Sequence, residues 1–254
     1  MTTRKGGAAP RKRTALPDLV YPFKATAGDD ELRYSLRSVA AHADGLFRKV
    51  WIVGDVPEWA VGVEHIPHRA LPNKVEDFRA RVAAAVSHDG VSSKFLLMND
   101  DFFLVRPVGK FAAFHSGPSS EHYARMVARK VDPAWLTCFK ATWDWMASRG
   151  HGDVLVRQGH RPLLWDRKRL AAVLAEYPAG RALDVVGLYD EAGAGGVGSL
   201  APNMKVTNRA QYLSKVAHLD SCPWLSSSDD AFAHGLIGGH VRALFPVPCR
   251  FEKG

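Results

Sequence analysis

Residues 95–101 read FLLMNDD, four apolar residues followed by an amide and two carboxylates. A short apolar run that ends in turn-forming residues is typical of a buried strand, and open α/β sheets bind ligands beyond the carboxyl ends of their strands. Asp100 and Asp101 at this position would hold a hard cation such as Mg²⁺ or Mn²⁺, which bridges a nucleotide diphosphate. The alternative is a plain turn in which Asn99 and the two acids satisfy backbone groups.

The segments before this stretch alternate between strand and helix patterns. In chain order they are a strand at 19–23, a helix marked by Leu32, Leu36 and Val39, a strand at 50–53, a shorter strand at 63–67, a helix that begins at Asn73 and the strand at 95–98. Strands that alternate with helices in this way predict an α/β fold with a mostly parallel central sheet.

The second half of the chain is less regular. Its predicted elements are an amphipathic helix marked by Trp135, Phe139 and Trp143, a helix at 166–177, a glycine-rich loop at 191–198 and a helix at 229–238. No internal repeat and no linker interrupts this half, so we predict a single domain over residues 17–254.

The positive charge of the chain is concentrated at its start. The formal net charge is +8, and residues 1–13 hold five cations and no acid, which leaves 29 cations and 26 acids elsewhere. We predict that residues 1–16 form a disordered basic tail. The alternative is an electrostatic arm for nucleic acid or another polyanion, and beyond a weak contribution of this tail we expect no nucleic-acid binding.

Composition and motifs exclude several classes. No run of 18 apolar residues and no signal-peptide core is present, and the three cysteines are widely spaced. We therefore expect no membrane span, no disulfide scaffold and a cytoplasmic location. The nucleotide-binding P-loop, the serine-hydrolase elbow and the His-Glu-x-x-His zinc motif are missing as well.

Charged residues after the first strand form a second candidate site. Asp30 and Glu31 stand where a helix N-terminus favours acids, and Arg33 and Arg37 follow at helical spacing. The structural interpretation is a charged helix start with (i, i+4) pairs such as Asp29–Arg33. The functional interpretation is a donor-binding segment in which the guanidinium of an arginine forms a bidentate contact with phosphate.

Two further candidates lie in the second half. His160 and Arg161 occupy a Gly-His-Arg-Pro loop, where a histidine would act as a general base near neutral pH. Asp229 and Asp230 follow Ser228 at a predicted helix start, which helix capping explains as well as function does.

Three segments in this order resemble the Stealth proteins, bacterial capsule sugar-phosphate transferases related to the lysosomal-enzyme GlcNAc-1-phosphotransferase. They are DDELRYSLRSV (29–39), KVWIVGDVPEW (49–59) and FLLMNDDFFLVRPV (95–108), and GHRPLLWDRKRL (159–170) and FPVPCRFE (245–252) resemble later family blocks. The chain departs from the family at residues 22–26, where PFKAT replaces Thr-Trp-Val-Asp-Gly. Its short, Ala-, Arg- and Gly-rich form would suit an actinobacterium or one of its phages.

The resemblance implies a GT-A-like (Rossmann-like) nucleotide-sugar transferase fold, with a nucleotide-sugar half at 17–108 and an acceptor and catalytic half at 109–254. It also implies transfer of sugar-1-phosphate from a nucleotide-diphosphate sugar to a hydroxyl of a glycan, surface polymer or protein. The resemblance implies catalytic roles for His160, Asp101 and Asp230. It implies that Mg²⁺ or Mn²⁺ is bound by Asp100, Asp101 and Asp230. The residues that it implies in substrate binding are Asp30, Glu31, Arg33, Arg37, Asn99 and Arg161. The alternatives are a GT-A glycosyltransferase that releases nucleoside diphosphate and a non-catalytic protein that binds sugar nucleotide or polyanion.

Overall fold

A computed structural model describes residues 15–25, 30–157, 159–178 and 198–253. The strands are β1 Asp18–Phe23, β2 Val50–Gly54, β3 Glu64–Ile66, β4 Lys94–Leu97, β5 Phe102–Leu104, β6 Phe114–His115, β7 Leu163–Asp166, β8 Ser199–Leu200, β9 Lys205–Val206 and β10 Trp224–Ser227. The helices are α1 Asp30–His42, α2 Lys74–Ser87, α3 Ser119–Ala128, α4 Pro133–Ser148, α5 Arg167–Glu176, α6 Arg209–Val216, α7 Asp229–His234 and α8 Leu236–Leu244.

The central sheet has five strands in the order β3-β2-β1-β4-β7. The first four are parallel, and β7 runs antiparallel to β4 at the edge. Alternate residues of β1 point to opposite faces, so Leu19 and Tyr21 join one hydrophobic cluster and Val20 joins another. Helix α1 covers the first face, and α2 and α5 cover the second.

Glycine ends β2 because the chain there passes close to its neighbours. Gly54 has a φ of +123°, and a Cβ built on it would lie 2.1 Å from the carbonyl oxygen of Phe23. The guanidinium of Arg81, which reaches from α2, donates to the carbonyl oxygens of Phe23 and Val53. A single buried arginine thus joins the carboxyl ends of β1 and β2.

A smaller sheet extends the fold beyond the end of β4. Its order is β5-β10-β9, with β10 antiparallel to β5 and parallel to β9. Phe103 and Leu225 pair across it and are fully buried in the cluster beneath α1. Since β5 begins directly after the Asp100-Asp101 turn, this sheet brings residues from the far end of the chain to that turn.

The predicted order of elements in the first half is confirmed, as is the α/β class with a mostly parallel sheet. Helix α2 begins as expected, because Asn73 Oδ1 accepts hydrogen bonds from the amides of Val75 at 2.9 Å and Glu76 at 3.1 Å. The single helix expected at 229–238 is wrong. The chain is extended at Gly235 (φ −93°, ψ 176°) and divides that segment into α7 and α8.

Some predictions fall on parts that the structure does not describe. Residues 1–14 of the basic tail and residues 191–197 of the glycine-rich loop lie outside the described residues. Across the residues that are described, no helix combines the length and the apolar character that crossing a membrane requires. Cys222 is buried, Cys249 is half-buried, and both have free thiols.

Candidate active site

The predicted acids gather where the strand order of the central sheet reverses. From β1, the chain continues to β2 and β3 on one side, whereas β4 pairs on the other side of β1. Such a switch point opens a crevice at the carboxyl ends of its strands. Glu31 enters this region from the first turn of α1, and Asp100 and Asp101 enter it from the turn after β4.

Asp101 is fixed by two partners from the smaller sheet. Lys205 Nζ lies 2.7 Å from Asp101 Oδ2, and Ser226 Oγ donates to the same oxygen at 2.6 Å. Lys205 also donates to the carbonyl oxygen of Ser227. Asp101 is only 7% exposed, and burial of a carboxylate is costly unless such partners accompany it.

Glu31 and Asp100 lie in a negatively charged environment. Ser227 Oγ and Glu31 Oε1 are 2.6 Å apart in a hydrogen bond. Burial, and then the charges of Asp101, Asp100 and Asp229, raise the pKa of Glu31 to about 7. Burial, and then Asp101 and Asp229, raise the pKa of Asp100 to about 6.

We call Glu31, Asp100, Asp101 and Asp229 the acidic cluster. Its members come from three separate parts of the chain, and their charges repel one another. A site of this kind attracts a cationic group, and Lys205 supplies one positive charge to it.

His160 approaches the acidic cluster from the loop before β7. Its backbone has a φ of +51°, which is uncommon for a residue with a side chain. Burial, and then the charge of Lys205, lower the pKa of His160 to about 4, although Asp101 opposes this shift. The imidazole is therefore neutral at pH 7 and has a nitrogen that can accept a proton.

Arg161 supports the His160 loop from inside the protein. Its Nη1 donates to the carbonyl oxygen of Pro202 at 2.8 Å, and its guanidinium lies over the Phe114 ring at 5.3 Å. Only 2% of Arg161 is exposed. These contacts hold the His160 loop in position, and the substrate contact expected of Arg161 stays a prediction.

Arg37 is also committed to internal contacts. Its Nε and Nη2 each lie 2.7 Å from a carboxylate oxygen of Glu252, and its Nη1 donates to the carbonyl oxygen of Phe245 at 2.9 Å. This set occupies all three nitrogens and fastens the C-terminal segment to α1. These contacts give Arg37 a structural role, and its contact with substrate stays a prediction.

Arg33, Asp30 and Asn99 lie nearer to the surface. Arg33 Nη1 contacts Glu252 at 3.1 Å, its guanidinium lies 4.5 Å from the Trp59 ring, and its side chain is 30% exposed. Asp30 is exposed, with Oδ1 3.9 Å from Arg33 Nε. Asn99 is half-buried, and its carbonyl oxygen accepts from the Phe102 amide at 3.2 Å to close the turn. Their substrate roles remain predictions.

The two acids at the start of α7 face different surroundings. Asp229 acts on the pKa values of Glu31 and Asp100, whereas Asp230 lines a separate cavity with Asn208 and His234. Successive helical residues point about 100° apart, so the two carboxylates leave the start of α7 in different directions. The structure brings Asp229, not Asp230, to the acidic cluster.

Lys205, Ser226 and Ser227 were missed by the sequence analysis. Lys205 lies in a two-residue strand, too short for any periodic pattern, and the two serines end a strand without a motif. Their proximity to Asp101 depends on the pairing of β10 with β5 and β9, which no local pattern reveals.

The donor set suits a hard cation in its chemistry. Mg²⁺ is commonly bound by one or two protein carboxylates together with substrate phosphates and water. Carboxylate oxygens of the half-buried Asp100 and the exposed Asp229 fit that mode, since acids that repel each other gain from a cation. Within the described ranges, no group of three or more His, Cys, Asp or Glu side chains forms a ready-made metal site.

Comparison with known proteins gives partial matches. No family model matches the chain. It is 41% identical over 91 residues to one exopolysaccharide phosphotransferase of Streptomyces coelicolor, a match that covers 32% of this chain and 10% of the relative. A second exopolysaccharide phosphotransferase of that organism is 31% identical over 105 residues, with 37% of this chain and 19% of the relative covered. The chain thus spans about a tenth and about a fifth of these relatives.

Two solved structures of the glycosyltransferase GlyE of Streptococcus pneumoniae also align with the chain. The apo form has a TM-score of 0.34 at 12% identity, and the other structure has a TM-score of 0.33 at 13% identity. Each alignment covers 92% of this chain and 52% of GlyE.

Proposed function

We propose that this protein transfers sugar-1-phosphate from a nucleotide-diphosphate sugar to a hydroxyl group of an acceptor glycan. The observation that carries the proposal is the acidic cluster, which lies at the switch point of the sheet together with Lys205 and His160. These groups are the ones that phosphoryl transfer needs, namely a place for a cation, a fixed positive charge and a proton acceptor. The two relatives named exopolysaccharide phosphotransferase support the same reaction class.

The donor would enter the crevice between β1 and β4 on a GT-A-like fold. Asp100 and Asp229 would hold Mg²⁺ or Mn²⁺, which supplies charge neutralisation to the diphosphate oxygens. Lys205 would offer its ammonium group to a phosphoryl oxygen beside Asp101. Arg33, whose side chain is 30% exposed, is the arginine of α1 that we assign to the donor.

The reaction needs one bond to form and one to break. The acceptor oxygen attacks the phosphorus linked to the sugar, and the bond from that phosphorus to the bridging oxygen breaks. The nucleoside monophosphate leaves with the electron pair, and the acceptor proton moves to the neutral imidazole of His160. Because the pKa of His160 is lowered to about 4, the imidazole is unprotonated over the whole neutral range but is a weak base. A general base works best when its pKa lies near the working pH, so the negative charge of the bound donor would have to raise this pKa.

Identification of the released nucleotide tests this proposal. The protein is incubated with Mg²⁺ or Mn²⁺, a panel of nucleotide sugars and candidate glycan acceptors, and the nucleotide products are separated by chromatography. Monophosphate, with phosphate retained on the acceptor, is the expected result. Diphosphate would mean that the sugar alone is transferred, as in an ordinary glycosyltransferase, and would overturn the proposal.

A further inference from the structure

A cavity is lined by residues that neighbour Lys205 and Asp229 in the chain. It measures about 240 Å³ and is formed by the end of β9, the start of α6 and the junction of α7 with α8. Its lining residues are Val206, Thr207, Asn208, Asp230, Ala231, His234, and the three that follow, Gly235 to Ile237. Ligand sites for drug-sized molecules begin at about 300 Å³, so this cavity has room for a single small ring.

The lining combines polar groups with an apolar wall. Asp230 and His234 are exposed carboxylate and imidazole groups one helical turn apart on α7. Asn208 Oδ1 accepts a hydrogen bond from the Gln211 amide at 3.0 Å, which fixes the side chain. The Nδ2 group of Asn208 is then the donor that it can offer to a ligand. Leu236 contributes an apolar surface that is 44% exposed.

This combination matches a neutral sugar. A pyranose ring has hydroxyl groups that both donate and accept hydrogen bonds, and carboxylate, amide and imidazole groups complement them. The C–H face of the ring packs on an apolar side chain such as Leu236. A phosphate group would instead need cations, and Asp230 makes the cavity unfavourable for one.

The position of the cavity relates it to the reaction. Val206 and Asp230, which line it, are the chain neighbours of Lys205 and Asp229, and neighbouring Cα atoms are 3.8 Å apart. The crevice between β1 and β4 lies at the central sheet, whereas the cavity lies at the end of β9, an edge strand of the smaller sheet. Lys205 and Asp229 thus connect the acidic cluster along the chain to two residues that line the cavity.

We propose that this cavity binds the terminal sugar of the acceptor and directs its hydroxyl towards the acidic cluster. Asp230, Asn208 and His234 bind the hydroxyls of the ring, and Leu236 packs on its apolar face. This assignment rests on the proposed transfer reaction for its biological meaning, although sugar binding can be measured without turnover.

Saturation-transfer NMR tests the assignment directly. The probes are the methyl glycosides of glucose, galactose and N-acetylglucosamine, added to the full chain without nucleotide sugar. At least one glycoside is expected to give a signal that Leu236→Arg and Asp230→Asn each reduce to background. Leu244→Arg is the matched control, because Leu244 ends the same helix, is 41% exposed and lies outside the cavity.

The outcomes separate this assignment from the proposed function. Unchanged signals in both Leu236→Arg and Asp230→Asn, or no signal from any glycoside, would overturn the assignment even if the protein releases nucleoside monophosphate. Signals that depend on Leu236 would support it even if no nucleotide is released and the transfer reaction fails. In an active protein, Leu236→Arg is expected to raise the acceptor KM at least tenfold and to leave the donor KM unchanged.

Discussion

Lys205 and Asp101 are 104 residues apart in the chain, and their Nζ and Oδ2 atoms lie 2.7 Å from each other. The pair joins the turn after the central strand β4 to the short strand β9 of the smaller sheet. It gives the acidic cluster a positive charge that does not depend on a bound ion. We therefore regard Lys205 as the fixed electrostatic element of the site.

Loss of the Lys205 ammonium group is expected to affect both stability and turnover. Lys205→Met leaves a buried carboxylate without its cation and should cost about 2 kcal/mol of unfolding free energy in urea titrations. Nucleotide release should fall at least a hundredfold. Lys49→Met is the matched control, because Lys49 pairs with Glu64 at 2.7 Å on the surface, with both side chains 44% exposed. Equal effects of the two substitutions would contradict the role of Lys205.

The stability of the metal-free protein is expected to depend on Glu31. Its pKa is raised from 4.5 to about 7, so between these pH values the folded state binds more protons than the unfolded state. The contribution of Glu31 to the unfolding free energy is therefore fully present below about pH 4.5 and is lost as the pH rises through 7.

Glu31→Gln removes that titration. The unfolding free energy is measured at pH 5 and at pH 8 with a chelator present. We expect the difference between these two values to be about 2 kcal/mol smaller in Glu31→Gln than in the wild type. Asp30→Asn serves as the control at the neighbouring exposed acid. A pH difference that is identical in the wild type and Glu31→Gln would show that Glu31 titrates normally.

A divalent cation should stabilise the protein through Asp100 and Asp229. Mn²⁺ binds the folded state alone in this scheme, so it should raise the melting temperature in a concentration-dependent manner. We expect Asp100→Asn and Asp229→Asn to abolish this rise and Asp230→Asn to retain it. If Asp229→Asn retained the rise and Asp230→Asn abolished it, the ligand would be Asp230, as the sequence predicted.

His160 is expected to act on the chemical step. His160→Asn keeps a residue type that tolerates a positive φ, so the loop should stay folded. Loss of the proton acceptor should lower kcat by a factor of about 10² to 10⁴ and leave the donor KM within about twofold. A raised donor KM with unchanged kcat would instead make His160 a binding residue.

Local patterns account for much of the fold and for part of the site. The apolar run before Asn99, the helical spacing of α1 and the cap at Asn73 are each determined within a few residues, and all three were predicted. The break at Gly235 was not, because glycine inside an otherwise helical pattern is compatible with both a continuous helix and a break.

Contacts between distant segments account for what was missed. Lys205 contacts Asp101 because strand pairing in the smaller sheet brings them together, and Arg37 binds Glu252, which lies 215 residues away in the chain. The choice between Asp229 and Asp230 depends on the rotation of α7 about its axis. No spacing rule in the sequence carries this information.

The proposed transfer of sugar-1-phosphate is tested by measuring where the sugar-linked phosphate goes. A nucleotide sugar labelled with ³²P on the sugar-linked phosphorus is incubated with an acceptor glycan, and label on the glycan is measured together with the released nucleotide. We expect the wild type to transfer the label and to release an equal amount of monophosphate. Asp220→Asn, a variant at an acid that is 90% exposed, should do the same. Asp100→Asn should transfer none. An unlabelled sugar product with labelled diphosphate released, or full transfer by Asp100→Asn, would contradict the proposal.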